Sequence, residues 1–187
     1  MRRCAGRRSG GADGSRARGG AADPHPRPDT AAQARFDALR ARHFPAGRNQ
    51  VPAHITLFHA LPGAELDAIA PELARTCAAT APFAVRVAGL RSLGRGVAYA
   101  LESPALTRLR GGLARAWAPW LSPQDRQGYR PHLTILNKAD PASARALLEG
   151  MQAVFTAFDV AATGLLLWHY RGGPWDEAGR FAFLGQA

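Results

Sequence analysis

Apolar residues along this chain follow two spacings. Helical spacing recurs four times. Phe36, Leu39 and Phe44 follow Asp29 and Thr30, either of which can cap a helix, and the run ends before Pro45. Leu66, Ile69 and Leu73 predict a second helix over 65–76. Pro104 opens a third, at a position where its missing N–H costs little, and Leu106, Leu109, Leu113 and Trp117 continue it. Asp140-Pro141 opens a fourth that carries Leu147, Leu148 and Met151. Elsewhere the period shortens to two, predicting strands over 52–58, 83–87, 97–101, 130–136, 158–170 with an interruption at Gly164, and 180–184. Gly94-Arg95-Gly96 predicts a hairpin connection and is too short a glycine motif for phosphate binding. Strand–helix–strand–strand thus occurs about twice, which predicts an α+β fold of two related lobes with antiparallel sheets.

Two of the predicted strands share a further pattern. Pro52-Ala53-His54-Ile55-Thr56-Leu57-Phe58 and Arg130-Pro131-His132-Leu133-Thr134-Ile135-Leu136 each begin near a proline and carry His-x-Thr followed by an aliphatic residue. Alternation places His54 and Thr56 on one face, with Ile55 and Leu57 inward; His132 and Thr134 repeat this with Leu133 and Ile135. A polar pair on an otherwise apolar strand is costly to bury unless its face lines a cleft. Two such strands facing one cleft would offer two imidazoles and two hydroxyls to one ligand.

Composition changes the picture mainly at the start of the chain. Residues 1–30 contain, apart from Met1, no Val, Ile, Leu, Phe, Trp or Tyr, and end in Pro24-His25-Pro26-Arg27-Pro28. Such a segment is expected to be a disordered Arg/Gly/Pro-rich tail, because it cannot offset its ordering entropy. Residues 31–187 are expected to form the bilobed domain, at a length that allows one domain or two small lobes. The formal net charge of +10 favours anionic partners such as RNA or nucleotides, although arginine supplies 23 of 24 basic residues, as a GC-rich genome would also produce. No apolar run approaches the length of a membrane span and no signal-peptide core follows the start. Cys4 and Cys77 form neither a metal spacing nor a disulfide framework, so a reducing, cytoplasmic setting is expected.

The paired motifs resemble those of the 2H phosphoesterase superfamily, in its bacterial 2′-5′ RNA ligase-like branch. The carriers are Pro52 to Leu57, Tyr129 to Ile135 with Asn137-Lys138 following, and Trp168-His169-Tyr170-Arg171-Gly172-Gly173-Pro174-Trp175. The resemblance implies two pseudo-symmetric lobes with outer helices, each lending a His-x-Thr strand to a central cleft. It also implies a metal-independent RNA 2′,3′-cyclic phosphodiesterase, able in some members to form or cleave 2′-5′ linkages, with no cofactor. The expected catalytic residues are His54, Thr56, His132 and Thr134, the expected partner is RNA or a nucleotide with a cyclic phosphate, and a monomer is expected. One feature departs from the family: an apolar strand usually precedes the first helix, and here Ala22 to Pro28 holds three prolines, which a paired central strand is not expected to accept. The expectation drawn from it is a shifted reading frame at the start, leaving the first lobe one strand short.

Opening a cyclic phosphodiester needs a base to take a proton from water and an acid to protonate the departing ribose oxygen. Imidazole, with an ordinary pKa of about 6.5, serves both ends. The threonine hydroxyls can donate to non-bridging oxygens where charge accumulates. The resemblance leans towards His54 as acid and His132 as base; the sequence alone leaves the roles open. Arg130 can pair with a phosphate in bidentate fashion beside Tyr129, and Lys138, the only lysine, can contact RNA backbone. Trp168 and Tyr170 can stack a base, whereas Trp175 beside Gly-Pro is expected to pack. His59 is expected on the face opposite His54, outside the catalysis. A zinc hydrolase built from His54, His59, His132 and His169 lacks a His-Glu-x-x-His and a carboxylate at ligand spacing. A serine or cysteine hydrolase lacks its nucleophile elbow, with Cys77 placed mid-helix. The remaining alternative is a non-catalytic RNA- or nucleotide-binding module with the same cleft, which would have no need of a proton-transfer pair.

Overall fold

The computed structural model describes residues 20–186 other than Arg171, Gly173 and Pro174. Residues 1–19 of the expected tail, and three positions of the run between Trp168 and Trp175, lie outside the described residues. The described residues contain four α-helices: α1 (Thr30–His43), α2 (Leu66–Ala78), α3 (Pro104–Ala116) and α4 (Pro141–Ala153). Among the same residues seven strands accompany them: β1 (Ala21–Pro28), β2 (Leu61–Pro62), β3 (Phe83–Ser92), β4 (Val97–Glu102), β5 (His132–Leu136), β6 (Phe158–Tyr170) and β7 (Trp175–Ala182).

Helix starts follow from local chemistry. Asp29, Ser103 and Asp140 each accept a hydrogen bond from the backbone N–H three residues on, satisfying a donor with no partner inside the helix. The strands join in the order β2-β1-β6-β3-β4-β5, with β7 also on β6, and every pairing is antiparallel. The α+β architecture expected from the spacing is therefore present, in an open sheet. β1, β2, β6 and β7 belong to one half and β3, β4 and β5 to the other, joined through the β3–β6 pairing. Helix α2 packs on β6 and β7, α3 and α4 on β3, and α1 against β5 and β1. One continuous apolar core, from Phe36 and Leu73 to Leu113, Leu133 and Leu165, runs through both halves.

Residues 21–28 correct the expected tail. They form β1, an inner strand, and no strand of the first lobe is missing. Within a strand, successive residues turn their N–H and C=O to opposite edges. The odd positions of β1 face β6, as the bond from Asp29 N–H to Ala161 O shows at the strand end. Even positions face away, since Gly20 O accepts from Gly63 N–H and Pro24 O from Leu57 N–H. Pro24, Pro26 and Pro28 therefore turn their absent donors to one edge, where β2 pairs only Ala21 and Ala22. Alternate spacing makes three prolines compatible with an inner strand, and no shift of frame is needed to complete the sheet.

That edge also explains a second correction. The first His-x-Thr segment is extended, but it forms no ladder strand: it holds one isolated antiparallel bridge, Ile55 to Leu133, and the single 3.3 Å bond from Leu57 N–H to Pro24 O. A proline edge offers acceptors and no donors, so a ladder cannot build against it. Burial still alternates from Ala53 through Leu57, with His54 and Thr56 half-buried, until the buried Phe58 breaks the alternation. A third correction concerns Gly164, which does not interrupt β6. The strand runs through it, because a Cβ there would lie 2.3 Å from Phe181 O on β7.

Candidate active site

The bridge between Ile55 and Leu133 sets the geometry of the cleft. In antiparallel register their neighbours face one another, so His54 stands opposite Thr134 and Thr56 opposite His132. Ile55 and Leu133 are each buried, which sends all four polar side chains to the other face. The four residues singled out from the sequence are thus brought together by two buried aliphatic residues.

Each imidazole is held in the same way. His54 Nδ1 lies 2.8 Å from Pro52 O, and His132 Nδ1 lies 3.1 Å from Arg130 O. A carbonyl oxygen can only accept, so Nδ1 carries the hydrogen in both rings and Nε2 is the nitrogen for proton exchange. The carbonyl two residues upstream does for each ring what a carboxylate does in other histidine sites.

Electrostatics distinguish the two. Burial pushes His54 down to about 4, and Arg40 and His132 add to the depression. Burial also lowers His132, with Arg91 and His59 contributing. Beneath His54 lies His25 from β1, its ring 4.2 Å away and within 8° of parallel. His25 is buried, its Nδ1 has no hydrogen-bond partner, and burial holds it well below 6.5, so it is a neutral platform. The proline-rich segment gave no sign of this, because β1 was not legible there.

Helix α1 fastens both motifs. Asp37 Oδ1 accepts from Ala53 N–H at 2.6 Å, and Gln33 donates to Ala53 O at 2.9 Å. Arg40, buried, donates to Thr134 O at 2.9 Å and to Asn49 Oδ1, with its guanidinium over the Phe44 ring. Gln33, Asp37 and Arg40 lie four and three residues apart, on one face of α1. That polar stripe on a packed helix was the available sequence signal, and the apolar spacing masked it.

A cleft of about 160 Å³ is lined by Thr56 and His132, one from each motif, together with Arg91, Arg110, Tyr129 and Arg130. Tyr129 donates its phenolic O–H to Thr56 O at 3.2 Å, and the Arg110 guanidinium packs over the Phe58 and Tyr129 rings. His59, expected on the opposite face, instead lines this cleft, since Phe58 ends the alternation and Ala60 adopts a positive φ of 58°. Its Nδ1 lies 3.1 Å from Asp125 Oδ1. Trp168 is half-buried in a neighbouring groove that reaches Pro52 and includes Arg27, Gln33 and Arg180. Tyr170 is exposed near the end of β6, tilted over Trp175 at 5.0 Å. Lys138 is exposed just past β5 at a positive φ of 57° and is not among the residues lining either space. Cys77 is buried in α2, where desolvation pushes its thiol up to about 12. Among the described residues no group of three His, Cys, Asp or Glu is placed to hold a metal ion.

Two facing His-x-Thr units thus sit on an antiparallel α+β fold, with Thr56 and His132 lining the basic cleft and His54 and Thr134 outside its lining. A family profile described as the 2′-5′ RNA ligase superfamily matches residues 28–174, and the chain belongs to that superfamily. Among solved structures, TT0787 of Thermus thermophilus is similar with a TM-score of 0.63 at 18% identity, over 89% of this chain and 100% of that one. A structure described as a phosphoesterase gives 0.59 at 19%, over 90% and 99%. E. coli LigT complexed with 3′-AMP gives 0.56 at 20%, over 88% and 98%. At these identities the likeness is one of fold. No curated protein matches the chain in sequence.

Proposed function

We propose that this chain opens 2′,3′-cyclic phosphates at RNA or nucleotide ends by two-histidine acid–base catalysis, needing no metal. The observation that carries the reading is the facing pair of His-x-Thr units with both Nδ1 atoms tied to carbonyls, which leaves Nε2 as the exchanging nitrogen of each ring. One Nε2 takes a proton from the attacking water while the other gives a proton to the departing ribose oxygen. Thr56 and Thr134 donate to the non-bridging oxygens as negative charge grows on them. Arg130, beside His132, supplies a fixed positive charge, and Trp168 in the adjoining groove offers a face for a base. LigT structures with 3′-AMP, NADP+ and ATP support a nucleotide ligand for this fold.

Both imidazoles are depressed in the free cleft, so a bound phosphate anion is what returns a proton to one of them. The stronger burial of His54 favours it as the neutral base and His132 as the acid, the reverse of the assignment implied by the family resemblance. Ligation through a 2′-5′ linkage would exchange the roles.

The test is turnover of an RNA ending in a 2′,3′-cyclic phosphate by the unaltered chain and by His132→Ala. A loss of roughly 10²–10⁴-fold is expected, with full activity retained in EDTA. Strong inhibition by the chelator, or undiminished turnover by His132→Ala, would remove this reading. Product identity, a 2′- or a 3′-phosphate, shows which oxygen leaves.

A further inference from the structure

The cleft holds more positive charge than one cyclic phosphate requires, and one of its imidazoles is unused by the chemistry above. His59 presents a ring that is 46% exposed, and its carboxylate partner Asp125 is only 2% exposed. Asp125 is fully engaged: it accepts from His59 N–H at 2.9 Å, from the His59 ring at 3.1 Å and from Ser122 Oγ at 2.8 Å. A carboxylate can only accept, so His59 Nδ1 carries a hydrogen and the ring is fixed in orientation. Nε2 lies 3.3 Å from the Gln124 side-chain amide, at the cleft wall. The dyad bridges the two halves, because His59 follows the first motif and Asp125 sits in the loop before the second.

Around it, the same cleft is lined by Arg91, Arg130 and His132, while its one carboxylate, Asp125, is already committed to hydrogen bonds. His59 and Arg91 both act electrostatically on His132, so the three groups share one field. A cyclic phosphodiester brings a single negative charge. The surplus of cationic donors matches a second anion next to it.

We propose that His59, held by Asp125, forms with Arg91 a second anion subsite, which takes the phosphodiester adjacent to the terminal cyclic phosphate and so makes oligonucleotide ends, rather than free cyclic mononucleotides, the preferred substrates. This rests on the cyclic-phosphate reading of the site. His59 here is a substrate-binding residue. Pairing with the internal phosphate takes up a proton at Nε2, the edge that the Gln124 amide now faces, while Asp125 holds Nδ1 behind it.

The experiment compares kcat/KM for adenosine 2′,3′-cyclic phosphate and for a dinucleotide ending in the same group, in the unaltered chain and in His59→Ala and His59→Gln. The unaltered chain is expected to prefer the dinucleotide by at least about tenfold, more at low salt, and His59→Ala to reduce that preference by roughly tenfold through KM. His59→Gln, which keeps a neutral donor, should recover part of the preference. A structural role for the dyad would lower both substrates alike. Equal loss on both, or no preference in the unaltered chain, would overturn the subsite while leaving the chemistry standing. Turnover of neither substrate by the unaltered chain would remove the cyclic-phosphate reading and the subsite together.

Discussion

Two groups on one strand, half-buried Asp23 and buried His25, respond to pH in opposite senses. Asp23, on β1, accepts from Ala60 N–H, yet burial pushes its carboxyl up to about 6. Between pH 4 and 6 the folded chain therefore holds that proton more tightly than the unfolded one, and stability from this group falls as pH rises through the window. Asp23→Asn keeps an acceptor and removes the charge. Urea denaturation should show it more stable at pH 7, by up to about 3 kcal/mol, with the difference gone below pH 4. The roles of the two motif histidines are also a residue-scale question. A diester with a 4-nitrophenyl leaving group needs no acid, so on it the acid variant loses far less than on a ribose leaving group. His132→Ala is expected to recover by about 10² on the aryl ester, and His54→Ala is not. The opposite pattern would restore His54 as the acid.

At the scale of elements, β1 decides how well the first motif is held. Its proline edge leaves Leu57 N–H on Pro24 O as a lone 3.3 Å bond. Pro24→Val would restore a donor on that edge. A gain of about 0.5–1.5 kcal/mol in urea stability is expected, with slower amide exchange through residues 54–57. This strand is also where sequence and structure part. Helix starts were legible because Asp29, Pro104 and Asp140-Pro141 act locally, although the Ser103 cap before Pro104 came only with the structure. β3, β4, β5 and β6 were legible because burial repeats every second residue. β1 was not, because compatibility of prolines with a strand depends on which edge each one faces, and only the assembled sheet defines edges. The same limit hid His25 under His54, turned His59 into the cleft past Phe58, and made Gly164 read as a break when it marks the close approach of β7. The four motif residues needed no such knowledge: alternation around Ile55 and Leu133 was enough to group them.

Over the whole molecule, the desolvated imidazoles of His25 and His54 weaken the fold in acid. His54 is driven from 6.5 to about 4 on folding, and His25 is lowered in the same sense. The unfolded chain binds those protons first as pH falls, so stability is lost between about pH 6.5 and pH 4. His54 alone accounts for up to about 3 kcal/mol. Asp23 offsets part of this in the same window. The urea midpoint should accordingly be lower at pH 5 than at pH 7, and His25→Phe, which keeps a stacked ring without a titrating nitrogen, should shrink that difference. An unchanged midpoint in the unaltered chain would show that these rings are hydrated.

The paired tethering of His54 and His132, each by the carbonyl two positions before it, has a consequence for symmetry. The two His-x-Thr units are chemical near-duplicates, so nothing within them distinguishes one imidazole from the other. What breaks the tie is the scenery: an imidazole stacked behind one ring, arginines beside the other. Which of the two rings gives up its proton more readily is thus a property of the walls, and it can be retuned by substitutions outside both motifs.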